Sequence, residues 1–220
     1  MAALAVVLVG CGGTTQSAGG DTATTAPPPA TTTTAAPAGC KSVAAPKPKP
    51  DGGQKAPKAA LDTAKAYTVT IETNCGSFTI TLEQKQSPHA TAAFVSLAKS
   101  GFFDRTTFHR IVPGFVIQGG DPTGTGTGGP GFSTIDPPRP RARYTRGVVA
   151  MAKTSAEPPG TAGSQFFVVT AADAGLPPDY AVIGTVTTGL PVVMRVGALG
   201  NAQERPTRPV VISRTSVAEA

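Results

Sequence analysis

The sequence predicts a mainly β protein, a closed antiparallel barrel with two helices, preceded by a tether without a core. Short runs of alternating apolar and polar residues recur through residues 67–220, punctuated by Gly, Pro, Asn and Asp. Only two stretches carry helical spacing, and many short strands with few helices favour closure, which removes exposed sheet edges. No Phe, Tyr or Trp precedes Tyr67, and between Gly12 and Ala66 the only aliphatics larger than Ala are Val43 and Leu61. The chain therefore divides into residues 1–11, an apolar leader remnant; 12–66, a disordered Thr/Ala/Pro/Lys-rich tether; and 67–220, one folded domain.

The domain opens with a hairpin. Tyr67, Val69 and Ile71 share one face, Asn74-Cys75-Gly76 turns, and Phe78, Ile80 and Leu82 alternate again. Ser87-Pro88 predicts a helix start, Ser as N-cap and Pro at the first helical position. Ala90, Ala93, Phe94, Leu97 and Ala98 supply its apolar face, and Gly101 sits where a left-handed residue ends a helix. Further strands are expected over 111–118, 148–152, 166–170, 181–186 and 209–212, with a second short helix over 190–196. If 111–118 is one extended strand, Phe115, Ile117 and Gly119 face one way and Val116, Gln118 and Gly120 the other.

Charge and cysteines limit the function classes. The net charge of +6 is spread evenly, which does not point to nucleic acid. The one basic cluster, Arg139, Arg141, Arg143 and Arg146, reads as a solvated loop with structural pairing. Two histidines and scattered cysteines give no metal site. The start, MAALAVVLVGC, resembles a bacterial lipobox, with Leu8-Val9-Gly10 before a Cys11 that would carry lipid. No Lys or Arg precedes Cys11, so Met1 reads as an internal start with the basic region upstream. The run is too short to span a bilayer, so the expectation is an extracytoplasmic protein held on the cell membrane by a lipid anchor. In that setting Cys40 and Cys75 are candidates for a disulfide, against the alternative of two free thiols.

The most specific stretch is residues 102–132, FFDRTTFHRIVPGFVIQGGDPTGTGTGGPGF. It resembles the central signature of the cyclophilin-type peptidyl-prolyl isomerases, F-H-R-x-x-x-x-F-x-x-Q-G-G-D. Phe108, His109, Arg110, Phe115, Gln118, Gly119, Gly120 and Asp121 fill every specified position. A second block, 147–170, is similar to the family's M-A-N followed by T-N-G-S-Q-F-F, with Lys153 and Ala162 at the two Asn positions. A third, YAVIGTV at 180–186, is similar to the family's late strand, with Ile183 for the common Phe. The resemblance covers 67–212 and implies an eight-stranded barrel capped by two helices.

It also implies a chemistry. Rotation about an Xaa-Pro bond is slow because amide resonance must be broken, a barrier of ~18–20 kcal/mol, and it needs no proton transfer. A catalyst needs a dry pocket for the pyrrolidine ring, a cation that favours the twisted amide, and groups that hold the flanking chain. By resemblance, Phe115, Val116, Phe167 and Leu176 form the pocket and Arg110 is the cation. Gln118, Gln165 and the main chain of Ala152-Lys153 hold the substrate, and Tyr180 stands where many members carry His. Gly175 stands where cyclosporin-sensitive members often carry Trp. The implied catalytic set is Arg110, Phe115 and Gln118; no cofactor is implied, the partners are proline-containing polypeptides, and the domain is a monomer.

Other readings of the same residues carry less. Arg110 as the structural partner of Asp121 or Glu157 leaves the rest of the signature unexplained. A triad of Ser164, His109 and Asp121 lacks a nucleophile-elbow context around Ser164. The 123–131 loop has no G-K-[ST] ending and is not a phosphate loop. The expected function is isomerisation of Xaa-Pro bonds, assisting the folding of exported proteins. The alternative is a low-turnover module of the same fold that binds Pro-containing segments of an envelope partner.

Overall fold

The computed structural model describes residues 39–220. Cys11, the lipobox and the tether up to residue 38 lie outside the described residues. Strands β1 (Tyr67–Thr73) and β2 (Gly76–Leu82) form the expected hairpin, pairing from Thr68–Thr81 to Thr73–Gly76, with Val69, Ile71, Phe78 and Ile80 buried. Gly76, at φ +115°, makes the turn that other residues adopt at a cost.

Helix α1 (Pro88–Lys99) begins at Ser87, but the cap differs from the expectation. The Ser87 hydroxyl donates to Val182 O (2.7 Å), tying the helix start to the sheet, and the Ala90 N–H donates to the distant carboxylate of Asp136 (2.6 Å). At the other end, Gly101 adopts φ +69°, with Gly101 N to Ala98 O (3.1 Å) and Phe102 N to Leu97 O (3.0 Å), a Schellman ending.

The remaining strands are β3 (Thr106–Thr107), β4 (Arg110–Val112), β5 (Val116–Gly119), β6 (Thr134–Ile135), β7 (Val148–Met151), β8 (Thr161–Ala162), β9 (Phe166–Val169), β10 (Val182–Thr188) and β11 (Val211–Glu219). Helix α2 (Leu190–Gly197) lies between the last two. Two expectations need correction. The 111–118 run is not one strand: Pro113-Gly114 turns it, with Gly114 at φ +70°, and β4 folds back on β5. And the barrel is not a closed eight-stranded one. The main sheet has nine strands, in the order β3-β11-β1-β2-β10-β7-β9-β5-β4, curled so that β3 and β4 are its edges. These two edge strands are consecutive in the chain, joined by Phe108-His109, so the sheet's edges meet through this segment and not through a ladder between them. There Phe108 N bonds Val210 O (2.9 Å), Ile111 N bonds Glu204 O (2.8 Å), and Thr107 and Asp121 form an isolated bridge.

The concave side holds a core in which Phe166 meets Phe94, Phe103 and Phe108 edge-on at 5.3–5.9 Å between ring centres. A second, smaller cluster of Val116, Tyr144, Ala150, Phe167, Val169 and Val182 lies on the other face of β5, β7 and β9.

The tether, expected to be disordered up to residue 66, is laid along the domain from residue 39 onward. Lys41 N donates to Asn74 O (2.8 Å), Lys49 N to Pro122 O (2.8 Å), Gly52 N to Gly129 O (3.0 Å) and Gln54 N to Pro130 O (2.9 Å). Cys40 is disulfide-bonded to Cys75. The Lys49 ammonium donates to the carbonyls of Gly101 (3.2 Å), Phe102 (2.6 Å) and Asp104 (3.2 Å), over the C-terminal end of α1. Composition showed that this segment has no core of its own; backbone pairing to another element needs none.

Candidate active site

The β4–β5 hairpin builds the site. Its register sets Arg110 opposite Gln118, so both side chains leave the same face. Arg110 Nη1 donates to Gln118 Oε1 (3.3 Å), Gln118 Nε2 donates to Gln165 Oε1 (3.0 Å), and Gln165 Nε2 donates to the carbonyls of Gly126 and Gly128 (2.9 Å each). This chain fixes the orientation of both amides and ties the guanidinium to the glycine-rich loop. The other side of Arg110 is held by Glu204, whose Oε2 accepts from Nε at 2.7 Å. Glu204 occupies a left-handed position, φ +60°, inside a turn in which Asn201 Oδ1 accepts from the N–H groups of Gln203 and Arg205.

Beside Arg110 opens a cavity of about 190 Å³. Val116 and Phe167, 2% and 5% exposed, are its deepest apolar residues, with Phe115 and Leu176 also lining it. Phe115 lies in the chain just before β5, which is how it shares the cavity with Val116 despite the alternation expected of a continuous strand. Gln118, Ala152, Lys153 and Tyr180 complete the lining. The structure thus brings nine of the ten residues named from the sequence around one cavity. The tenth, Gln165, stands next door, bonded to Gln118. A volume of this size fits one ring-sized side chain, well below the ~300–1,000 Å³ of sites for larger ligands.

Sequence reasoning missed three supports. Tyr144, fully buried within the arginine-rich loop, donates its hydroxyl to Tyr180 O (2.8 Å) and accepts from Tyr180 N (2.9 Å), fixing the backbone of a pocket residue. Burial raises the Tyr144 phenol above its usual value, so the hydroxyl keeps its proton for this bond. Tyr180 in turn meets Phe167 edge-on at 5.4 Å. The Lys153 side chain, 3% exposed, donates to Asp179 Oδ2 (2.6 Å) and to the carbonyls of Thr154 (3.1 Å) and Glu157 (3.0 Å). Its ammonium also lies 5.7 Å from the Tyr180 ring centre. Lys153 joins the loops on either side of the pocket, a role for the side chain where the family resemblance points to the main chain. Glu204 is the third. Tyr144 had a faint signal, an aromatic in a polar run; Glu204 had none.

The rival readings meet specific contacts. Ser164 donates its hydroxyl to Gly120 O (2.7 Å), and neither shielded ring nitrogen of the half-buried His109 has a side-chain partner, so no serine–histidine relay exists. Burial lowers the His109 pKa, with the nearby Asp121 opposing. Burial of Asp121 acts to raise its pKa, but hydrogen bonds from Thr123, Gly126 and Gly128 outweigh it and hold the carboxylate below its usual range. In the arginine cluster, Arg143 pairs with Asp173 and Arg146 Nε donates to Thr170 O (3.1 Å). Among the described residues no group of three or more His, Cys, Asp or Glu could hold a metal.

A fold of this kind with an arginine at the mouth of a small apolar pocket is that of a prolyl isomerase. The family model described as cyclophilin type peptidyl-prolyl cis-trans isomerase/CLD matches residues 68–217, and the chain belongs to this family. It is 38% identical over 159 residues to the peptidyl-prolyl cis-trans isomerase-like 1 of Aspergillus fumigatus, covering 70% of this chain and 97% of that protein. It is 40% identical over 156 residues to the protein of the same name in Mus musculus, covering 69% and 92%. A crystal structure of a Cryptosporidium parvum cyclophilin type peptidyl-prolyl cis-trans isomerase in the presence of the dipeptide Ala-Pro superposes with a TM-score of 0.64 at 33% identity. That similarity covers 69% of this chain and 98% of the other. The chain is therefore a peptidyl-prolyl cis-trans isomerase. These relatives are eukaryotic and lend no support to the bacterial lipoprotein leader expected from the first eleven residues.

Proposed function

We propose that Arg110 drives the rotation, that Phe115, Val116, Phe167 and Leu176 seat the proline ring, and that Gln118, Gln165 and the Ala152-Lys153 main chain hold the flanking residues. The observation that carries this is the double anchoring of Arg110. With Glu204 on Nε and Gln118 on Nη1, the guanidinium is fixed at the pocket mouth and still presents further N–H groups. As the amide twists, its nitrogen loses resonance and becomes an acceptor; a fixed, always-charged donor there favours the twisted state over either planar one. No group needs to gain or lose a proton. A proline ring in the apolar cavity becomes the fixed end, about which the preceding residue rotates.

The reading extends to location and clients. A lipid on Cys11 and action on exported polypeptides rest on the lipobox-like LVGC alone. Acyl mass on the mature N-terminus, lost in Cys11→Ala along with membrane retention, tests it. The site is tested by NMR exchange on an Ala-Pro peptide. Line broadening dependent on protein concentration and abolished in Arg110→Ala supports it. Peptide binding without exchange would favour the low-turnover binding module.

A further inference from the structure

The proline pocket does not end at Lys153. Gln118, Ala152 and Lys153 also line a second cavity of about 600 Å³, so the two spaces adjoin. One wall of this larger space comes from outside the family segment, which begins at residue 68: Asp51 and Gly52 of the tether line it. We propose that this strap is a fixed part of the substrate groove, and that Asp51 selects proline-containing chains carrying a cationic side chain next to the proline. The proposal rests on the isomerase site described above.

The strap is latched at the site itself. Asp51 Oδ1 accepts from Gly129 N (2.8 Å), and Gly52 N donates to Gly129 O (3.0 Å). Gly129 adjoins Gly128, whose carbonyl accepts from Gln165, which accepts from Gln118, which accepts from Arg110. The strap is thereby linked to the site through these hydrogen bonds and the Gly128-Gly129 peptide. Charge gives the selectivity. Asp51 uses one carboxylate oxygen for the latch, and among the described residues Oδ2 has no hydrogen-bond partner. Glu157, lining the same cavity, accepts from Thr154 N and Oγ1 at Oε2 only (2.6 and 2.8 Å), leaving Oε1 open. The one cation among the lining residues, Lys153, is 3% exposed and fully engaged. Two carboxylates line this space, and its own lysine is already engaged, while Arg110 belongs to the adjoining pocket; the balance favours ammonium or guanidinium over carboxylate.

The test uses the full chain and peptides that carry Lys, norleucine or Glu on either side of Ala-Pro. Wild type is expected to favour Lys over Glu in kcat/KM by about tenfold at low salt, the sum of two exposed carboxylate contacts, with the ratio collapsing at high salt. Asp51→Asn keeps an oxygen for Gly129 N but removes the charge, and should cut the Lys-to-Glu ratio by about threefold. Glu157→Gln, which leaves the strap untouched, should do the same. A wild-type ratio of one, or a ratio unchanged in Asp51→Asn, overturns the proposal. Catalysis of the norleucine peptide reports separately on the isomerase site: turnover without charge discrimination sinks only the strap's role, and no turnover on any peptide sinks the site assignment.

Discussion

Replacing Arg110 with alanine separates catalysis from stability, because the two effects differ in size. Arg110 and Glu204 are 37% and 50% exposed in their side chains. An ion pair so open to solvent contributes ~0.2–1 kcal/mol to folding. The bond to Gln118, at 3.3 Å, is long and adds little. Arg110→Ala should therefore lower the melting temperature by no more than about 2–4 °C. A fixed donor that meets charge or lone-pair density only in the transition state is worth far more, ~10²–10³ in rate, or about 2.7–4 kcal/mol. NMR exchange on an Ala-Pro peptide should show kcat/KM falling by that factor, mostly in kcat, with peptide affinity changed little. Arg110→Lys should recover less than about a tenth of the loss, since a single ammonium lacks the planar fork that holds Glu204 and Gln118 together. An Arg110→Ala protein that melts normally and retains rates within threefold of wild type would refute the assignment. So would a loss of activity matched by a loss of fold.

Other perturbations probe the supports. Lys153→Met should destabilise by about 2 kcal/mol, because Asp179 and two loop carbonyls lose their donor, and should raise KM as Tyr180 loosens; a KM unchanged from wild type would limit Lys153 to stability. Gly120→Ala should cost about 2–4 kcal/mol by calorimetry, since at φ +86° a methyl group would meet Ser164 O and lie 2.9 Å from the Phe166 ring. Reducing the Cys40–Cys75 bond, which closes a 35-residue separation, should cost ~2–4 kcal/mol, and thiol labelling of the unreduced, unfolded protein should find neither cysteine free. Stability should fall with pH from about 6.5 downward. His109 has a lowered folded pKa, so both states are neutral above that pH, whereas below it the unfolded chain takes up a proton that the folded one resists. Asp121, itself held low, contributes only in a more acidic range. A melting temperature equally pH-dependent in His109→Gln would remove His109 as the cause.

The difference between what the sequence revealed and what it hid follows the range of each interaction. Arg110, Phe115 and Gln118 were legible because nine consecutive residues containing one Pro-Gly turn place them, and a local pattern can record a local hairpin. The split of that run into two strands is encoded in Pro113-Gly114, a turn that overrides the alternation of Phe115, Ile117 and Gly119. The barrel count failed for a different reason. Strand patterns identify strands but not the sheet's order: β3 and β4 are separated only by Phe108-His109, yet stand at opposite ends of that order, with Phe108 bonded to Val210 and Ile111 to Glu204. Glu204 lies 94 residues from Arg110 and reaches it through a left-handed turn position, which no spacing rule connects. The tether is the most instructive case. Low apolar content shows that a segment has no core of its own, and residues 40–54 have none. Their order comes from donors and acceptors that the domain leaves open at Asn74, Pro122, Gly129 and Pro130, and from an ammonium seated on three carbonyls after α1. The domain's unpaired groups are distributed along its surface, so a segment with free N–H groups and a lysine in register orders by pairing with them. A composition rule written for self-contained folding is blind to that, and in this chain it passes over Asp51 and Gly52, which line a cavity together with Gln118 and Lys153.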